Sequence, residues 1–183
     1  MLYSFAGFCA VCIMQSAILT LSYVGVAIVY GNELPETGIL TNYPMVEFYI
    51  SIFLLMYAAD AMGIMISCLV KKEEAANVLA PYILIVQLIF SGILFAMEGM
   101  ADYISYVMIS RWGMEALGSI ANLNDLPLKI QMTVPTVPHE FESRFDSTPE
   151  HLLTVWAVLF GFIVVFLLVG NILLHRVSKD TKG

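Results

Sequence analysis

Residues 152–174 read LLTVWAVLFGFIVVFLLVGNILL, without one charged side chain. A helix needs ~20 apolar residues to cross the ~30 Å hydrocarbon layer of a bilayer, so this stretch alone is a candidate span. It lacks the alternation of a barrel strand and is two to three times the ~10 residues that such a strand uses. Three further stretches of the same kind lie at 2–30, 45–70 and 78–97, and the four together occupy more than half of the 183 residues. Inside lipid a spanning backbone must close its own hydrogen bonds, which leaves helices here. The expected fold is an all-α integral membrane protein with four transmembrane helices.

Composition agrees. The hydrophobic fraction is 60%, above the ~45–50% of a soluble domain. The net charge is -7, but the placement of each sign matters more than the sum. Lys71 and Lys72 lie between the second and third stretches, and Arg176, Lys179 and Lys182 follow the fourth, which makes five of the eight basic residues. The connection 31–44 has none, and 98–151 carries only Arg111, Lys129 and Arg144 against eight acids. The positive-inside bias puts both termini and 71–77 in the cytoplasm and the two acidic segments outside. With five of the eight basic residues at membrane ends and the other three scattered among acids, no nucleic-acid partner is expected, and the bilayer is.

The connections read differently from one another. Residues 31–44 form a short outer loop, broken by Gly31, Pro35 and Gly38. Lys71 to Glu74 make a tight inner turn, and Pro81 is expected in the first turn of the third span, where its missing N–H costs little. From Glu98, a stretch around Tyr103 to Ile109 is too short to span and is interrupted at Arg111 and Gly113; it suggests short interfacial or re-entrant helices on the outer side. Residues 121–150, with Pro127, Pro135, Pro138 and Pro149, read as an irregular external loop with a hint of strand at Thr133 to Val137. No basic residue precedes the first apolar run, so it is no signal peptide; a span that starts at Met1 suggests a chain begun part-way through a longer one.

Several residues stand out chemically. Asp60 sits near the middle of the second span, where a carboxylate costs several kcal/mol unless paired. It is either a structural acid hydrogen-bonded to Gln15, Gln87 or a serine, or a polar relay in a transport pathway. Glu47, one turn inside the outer end of that span, reads as an interfacial residue reaching toward the headgroups. Arg111 and Glu115 are four apart and can pair on one helix face, an exposed pair of a few tenths of a kcal/mol. Ala58, Ala59, Ala61 and Gly63 form a small-residue patch suited to helix packing. Cys9, Cys12 and Cys68 read as small apolar residues. His139, Glu140, Glu142 and His151 fit no zinc spacing, so no metal site is expected. No catalytic residues are assigned: Asp60 lacks a second carboxylate at reactive spacing, since Glu47 lies toward the opposite helix face.

At three places the sequence resembles a known family. The run FSGILF at 90–95, the run RWGMEAL at 111–117 and the run YAADAMGIMIS at 57–67 are similar to the C-terminal part of the permease domain of ABC exporters of the G subfamily, the white and pleiotropic drug resistance type. The resemblance implies that the four spans are helices three to six of a six-helix domain. It also implies that Ile85, Leu88, Ile93 and Leu94 line the central cavity and its apolar upper plug, and that Arg111 and Glu115 shape an external gate. The phosphate-cradle pattern G-x-x-x-x-G-K-[ST] is missing from the sequence, so ATP and Mg²⁺ are expected on an ATP-binding domain or subunit outside this chain, with a second permease half as the other partner. The chain itself is then no enzyme. Family members from eukaryotes usually carry cysteines in the last external loop; without them, a bacterial inner membrane is implied. The competing reading is a non-transporting four-helix assembly or anchor protein, which would be tightly packed throughout with no path toward Ile93.

Overall fold

The computed structural model describes residues 2–31, 35, 37–70, 73–92, 99–125 and 142–180, and of 2–6, 73 and 175–180 the backbone alone. In chain order the helices are α1 (Leu2–Tyr30), α2 (Pro44–Leu69), α3 (Glu73–Ile89), α4 (Met100–Ser105), α5 (Ile109–Ile120) and α6 (Pro149–Asp180), with 3-10 turns at Leu123–Asp125 and Ser143–Phe145. Among the described residues there is no strand. The expectations for 126–141, including the strand hint and His139 and Glu140, fall outside them.

Three helices are long and apolar enough to cross a membrane: Gly7–Tyr30, Pro44–Leu69 and Pro149–Leu174. Each is apolar all round, yet only one stripe of each is buried. On α2 it runs Phe48, Ser51, Ala58, Ala61 and Ile66; on α6, Leu152, Val155, Leu159 and Ile163; on α1, Cys12, Ser16, Thr20 and Ala27. Steps of three, four and seven residues, with one of five before Ile66, keep each set on one side of its helix. The remaining faces carry large exposed side chains such as Leu21, Ile28, Leu153, Phe160 and Leu168, the arrangement of a bundle solvated by lipid. The stripe on α1 is made of small residues, which lets its backbone approach α2 closely. Its hydroxyls stay satisfied by bonding back, Ser16 to the Ile13 carbonyl at 3.0 Å and Thr20 to that of Ser16 at 2.8 Å.

The hub is α2, with α6 along one side, α1 along another and α5 across its N-terminal half. There Phe48, Ala58, Ile109, Ala116, Ile120, Leu152, Val155, Leu159 and Ile163 make one core, and the Trp156 indole donates to Ser51 Oγ at 2.8 Å, joining α6 to α2. Half of the expected small-residue patch packs: Ala58 and Ala61 are buried, whereas Ala59 is exposed and Gly63 has open space around it. A turn of 100° per residue forces that split.

Three local expectations are corrected. The third apolar stretch becomes a helix of 17 residues that begins at Glu73 rather than Val78 and ends at Ile89, so Pro81 lies inside it, two turns in, where it removes one intrahelical hydrogen bond. Arg111 and Gly113 do not interrupt α5, which runs through both. Glu47 does not reach outward: it is fully buried, accepting from the backbone N–H groups of Ile39 at 2.8 Å, Leu40 at 2.7 Å and Thr41 at 2.6 Å. The loop before α2 curls around this carboxylate so tightly that a side chain at Gly38 would collide with it.

Candidate functional site

The RWG run sits at the start of α5, and each of its residues has a separate task. Arg111 is buried and pairs with Asp102 Oδ1 at 2.7 Å, donates to the Asp102 carbonyl at 3.0 Å and to Ser105 Oγ, and lays its guanidinium on the Tyr106 ring, 3.6 Å from the centroid. It thereby ties the end of α4 and the turn after it to the start of α5. The Trp112 indole donates to the Tyr106 carbonyl at 2.9 Å, closing the same turn. Gly113 faces α2: a Cβ there would lie 2.6 Å from both Leu55 methyls, so glycine sets how closely α5 crosses α2.

Glu115 continues the cluster downward. Its Oε2 is 3.7 Å from Arg111 Nε, its Oε1 is 3.3 Å from His151 Nε2, and the pair is buried, with side chains 4% and 8% exposed. The expected exposed ion pair is corrected to an interior one: the i,i+4 spacing was right, but α5 turns that face inward, onto α6. Burial pushes the Glu115 carboxyl above the ordinary range; His151, Arg111 and Arg144 pull it back only in part.

Residues 142–147 are strapped across the top. Asn124 accepts from the Glu142 N–H at 3.1 Å and donates to the carbonyls of Glu142 and Phe145 at 3.1 and 3.0 Å. Ser147 Oγ donates to the Ser119 carbonyl at 2.7 Å, and the Phe145 ring fills the space where Gly118 lacks a side chain.

The pathway residues implied by the resemblance fall in two groups. Ile85 and Leu88 lie on one face of α3 and are 53% and 50% exposed; Ile93 and Leu94 lie outside the described residues. On its other side α3 is tied to α5 by Gln87, whose Oε1 accepts from the Ser110 N–H at 3.1 Å and from Ser110 Oγ at 3.0 Å. Ser110 is in the first turn of α5, and Met108 at its cap makes no side-chain bond, so Gln87 caps α5 from a neighbouring helix. Among the described residues Asp60 meets none of its expected partners. Its Oδ2 accepts from Cys12 Sγ at 3.1 Å, which joins α1 to α2, while Gln15 is exposed and Gln87 bonds Ser110 on α5 and Met62 Sδ on α2. The sequence reading missed Cys12, Gln87, Gly92, Arg144 and the part played by His151. No group of histidine, cysteine and acidic residues among those described is arranged to hold a metal ion.

Long apolar helices beside a polar cluster mark a multi-pass membrane protein, and comparison with known proteins places it further. Residues 1–121 match the ABC-2 type transporter family. The chain belongs to that family, as the permease part of an ABC-type transporter, a kind of domain that usually works with an ATP-binding partner. Neither a curated relative nor a solved structure matches it.

Proposed function

We propose that this chain is the permease portion of an ATP-driven exporter of the G-subfamily type, with four spans, cytoplasmic termini and a place in a bacterial inner membrane. In this reading α3 is the fourth crossing and lines the substrate path through Ile85 and Leu88, continuing into Ile93 and Leu94. The unit of α4, α5 and residues 142–147 is the external gate, with Arg111 and Glu115 holding its shape. Asp60, bonded to Cys12 on the far side of α2, serves helix packing more than the path. A second permease half packs opposite, ATP and Mg²⁺ belong to the partner, and the chain forms and breaks no covalent bond. Alternating access then follows from two global states whose balance ATP shifts.

The observation that carries this is the uneven packing: α2, α5 and α6 form one core and α1 lies along α2, while α3 is joined to them more sparsely and presents Val78, Tyr82, Leu84, Ile85 and Leu88 outward. An anchor protein packed throughout would seat this helix on the core as closely as α1 is seated on α2. The test needs no known substrate. With Cys9, Cys12 and Cys68 replaced, Ile85→Cys and Leu88→Cys in the transporter assembled with its ATP-binding partner are exposed to a water-soluble maleimide. Labelling without nucleotide and protection with ATP and vanadate is expected; side chains that never label face lipid, and the pathway reading fails.

A further inference from the structure

One arginine lies against the end of α3. After Ile89 the chain turns through Phe90 and Ser91 to Gly92, whose φ is +81°, a conformation that favours glycine. Arg144 Nη1 lies 2.7 Å, and its guanidinium carbon 3.6 Å, from where a Cβ of residue 92 would be. The guanidinium therefore occupies the place of the missing side chain.

The backbone that carries Arg144 is fixed on both sides. Asn124 bonds its neighbours Glu142 and Phe145, and His151 Nε2, on α6, lies 3.0 Å from the Arg144 carbonyl. Glu142 aims the side chain, its Oε2 accepting from Nη2 at 2.8 Å. A side chain anchored to α5 and α6 thus reaches across to the C-terminal end of α3, where the helix dipole favours a cation. The other polar tie between α3 and α5 among the described residues is Gln87 to Ser110.

We propose that Arg144 is a positioning residue of the external gate: it sets the register of the end of α3 against α5 and α6, and the contact parts when the gate opens. This rests on the reading of α3 as a pathway helix. The residue touches no substrate and acts through Gly92, at the threshold of Ile93 and Leu94.

Spin labels at Val86→Cys and Ser143→Cys, both exposed, report the separation by pulsed EPR in the assembled transporter in nanodiscs. Without nucleotide the native residue gives one narrow distribution, and ATP with vanadate lengthens it. Arg144→Ala broadens the nucleotide-free distribution about twofold, toward the trapped state, and Arg144→Lys, which keeps the charge but loses the fork, does so less. Gly92→Ala, which puts a methyl where the guanidinium sits, behaves as Arg144→Ala does. An Arg144→Ala distribution identical to the native one, with the nucleotide response intact, overturns this proposal and leaves the permease reading standing. No nucleotide response in the native protein overturns both.

Discussion

Glu47 and Glu115 are both buried carboxylates, and the atoms around them give them opposite characters. Glu47 accepts from three consecutive backbone N–H groups and from Thr41 Oγ1, at the first turn of α2, where the helix also favours an anion. Glu115 has a guanidinium at 3.7 Å, and its Oε2 and Arg111 Nε have no hydrogen-bond partner. Glu47→Gln should therefore cost about 1–3 kcal/mol, the penalty for leaving a buried donor unmatched, read as a lower unfolding midpoint in detergent. Glu115→Gln should cost less at neutral pH. Burial raises the folded-state pKa of Glu115, so its contribution to stability is fully present below the ordinary glutamate value and is lost as pH rises through the raised one. The native chain should gain on Glu115→Gln as pH falls through that window; a difference that stays constant or shrinks on acidification refutes the assignment. The sequence already marked both acids, because charge inside an apolar run is conspicuous. Of their partners only Arg111 was legible, from its spacing to Glu115; the loop N–H groups around Glu47 and the His151 beside Glu115 become neighbours only when separate segments pack.

Element boundaries were legible where apolar length alone decides them. The expected spans 2–30 and 45–70 match α1 and α2 within a residue, and 152–174 lies inside the longer α6, because backbone polar groups in lipid have no alternative to helix. The third stretch was harder, since hydropathy continues through 90–97 while Gly92 at positive φ has already turned the chain. Gly113 shows the same limit, for a glycine that interrupts a helix and one that lets two helices meet look alike in sequence. Its role is testable at this scale. Gly113→Ala drives a methyl against the Leu55 methyls and should cost about 1–3 kcal/mol by overpacking. Because a leucine end can yield, the sharper measure is a double-mutant cycle with Leu55→Ala. The two changes should be coupled by about 0.5–3 kcal/mol in the compensating direction; additive effects would mean that α5 does not bear on α2 at this point.

For the whole molecule the open quantity is how often the chain crosses the bilayer. Three helices have the length for it; α3, with 17 residues, extends about 26 Å at 1.5 Å per residue, close to the ~30 Å of hydrocarbon. Its contacts argue for a crossing. It begins directly after the inner end of α2, and its far end reaches Ser110 on α5, which packs over the half of α2 that holds Phe48 and Leu55. A helix lying flat on the inner surface would not meet α5 there. Four crossings put Lys71 and Ser143 on opposite sides of the membrane, whereas three put them on the same side. In a chain without Cys9, Cys12 and Cys68, Ser143→Cys should react with an impermeant maleimide added to intact spheroplasts, and Lys71→Cys only after the membrane is opened. Equal reactivity of both from outside would reduce the count to three, and α3 would then lose its place as a pathway helix while the outer core of α2, α5 and α6 remained.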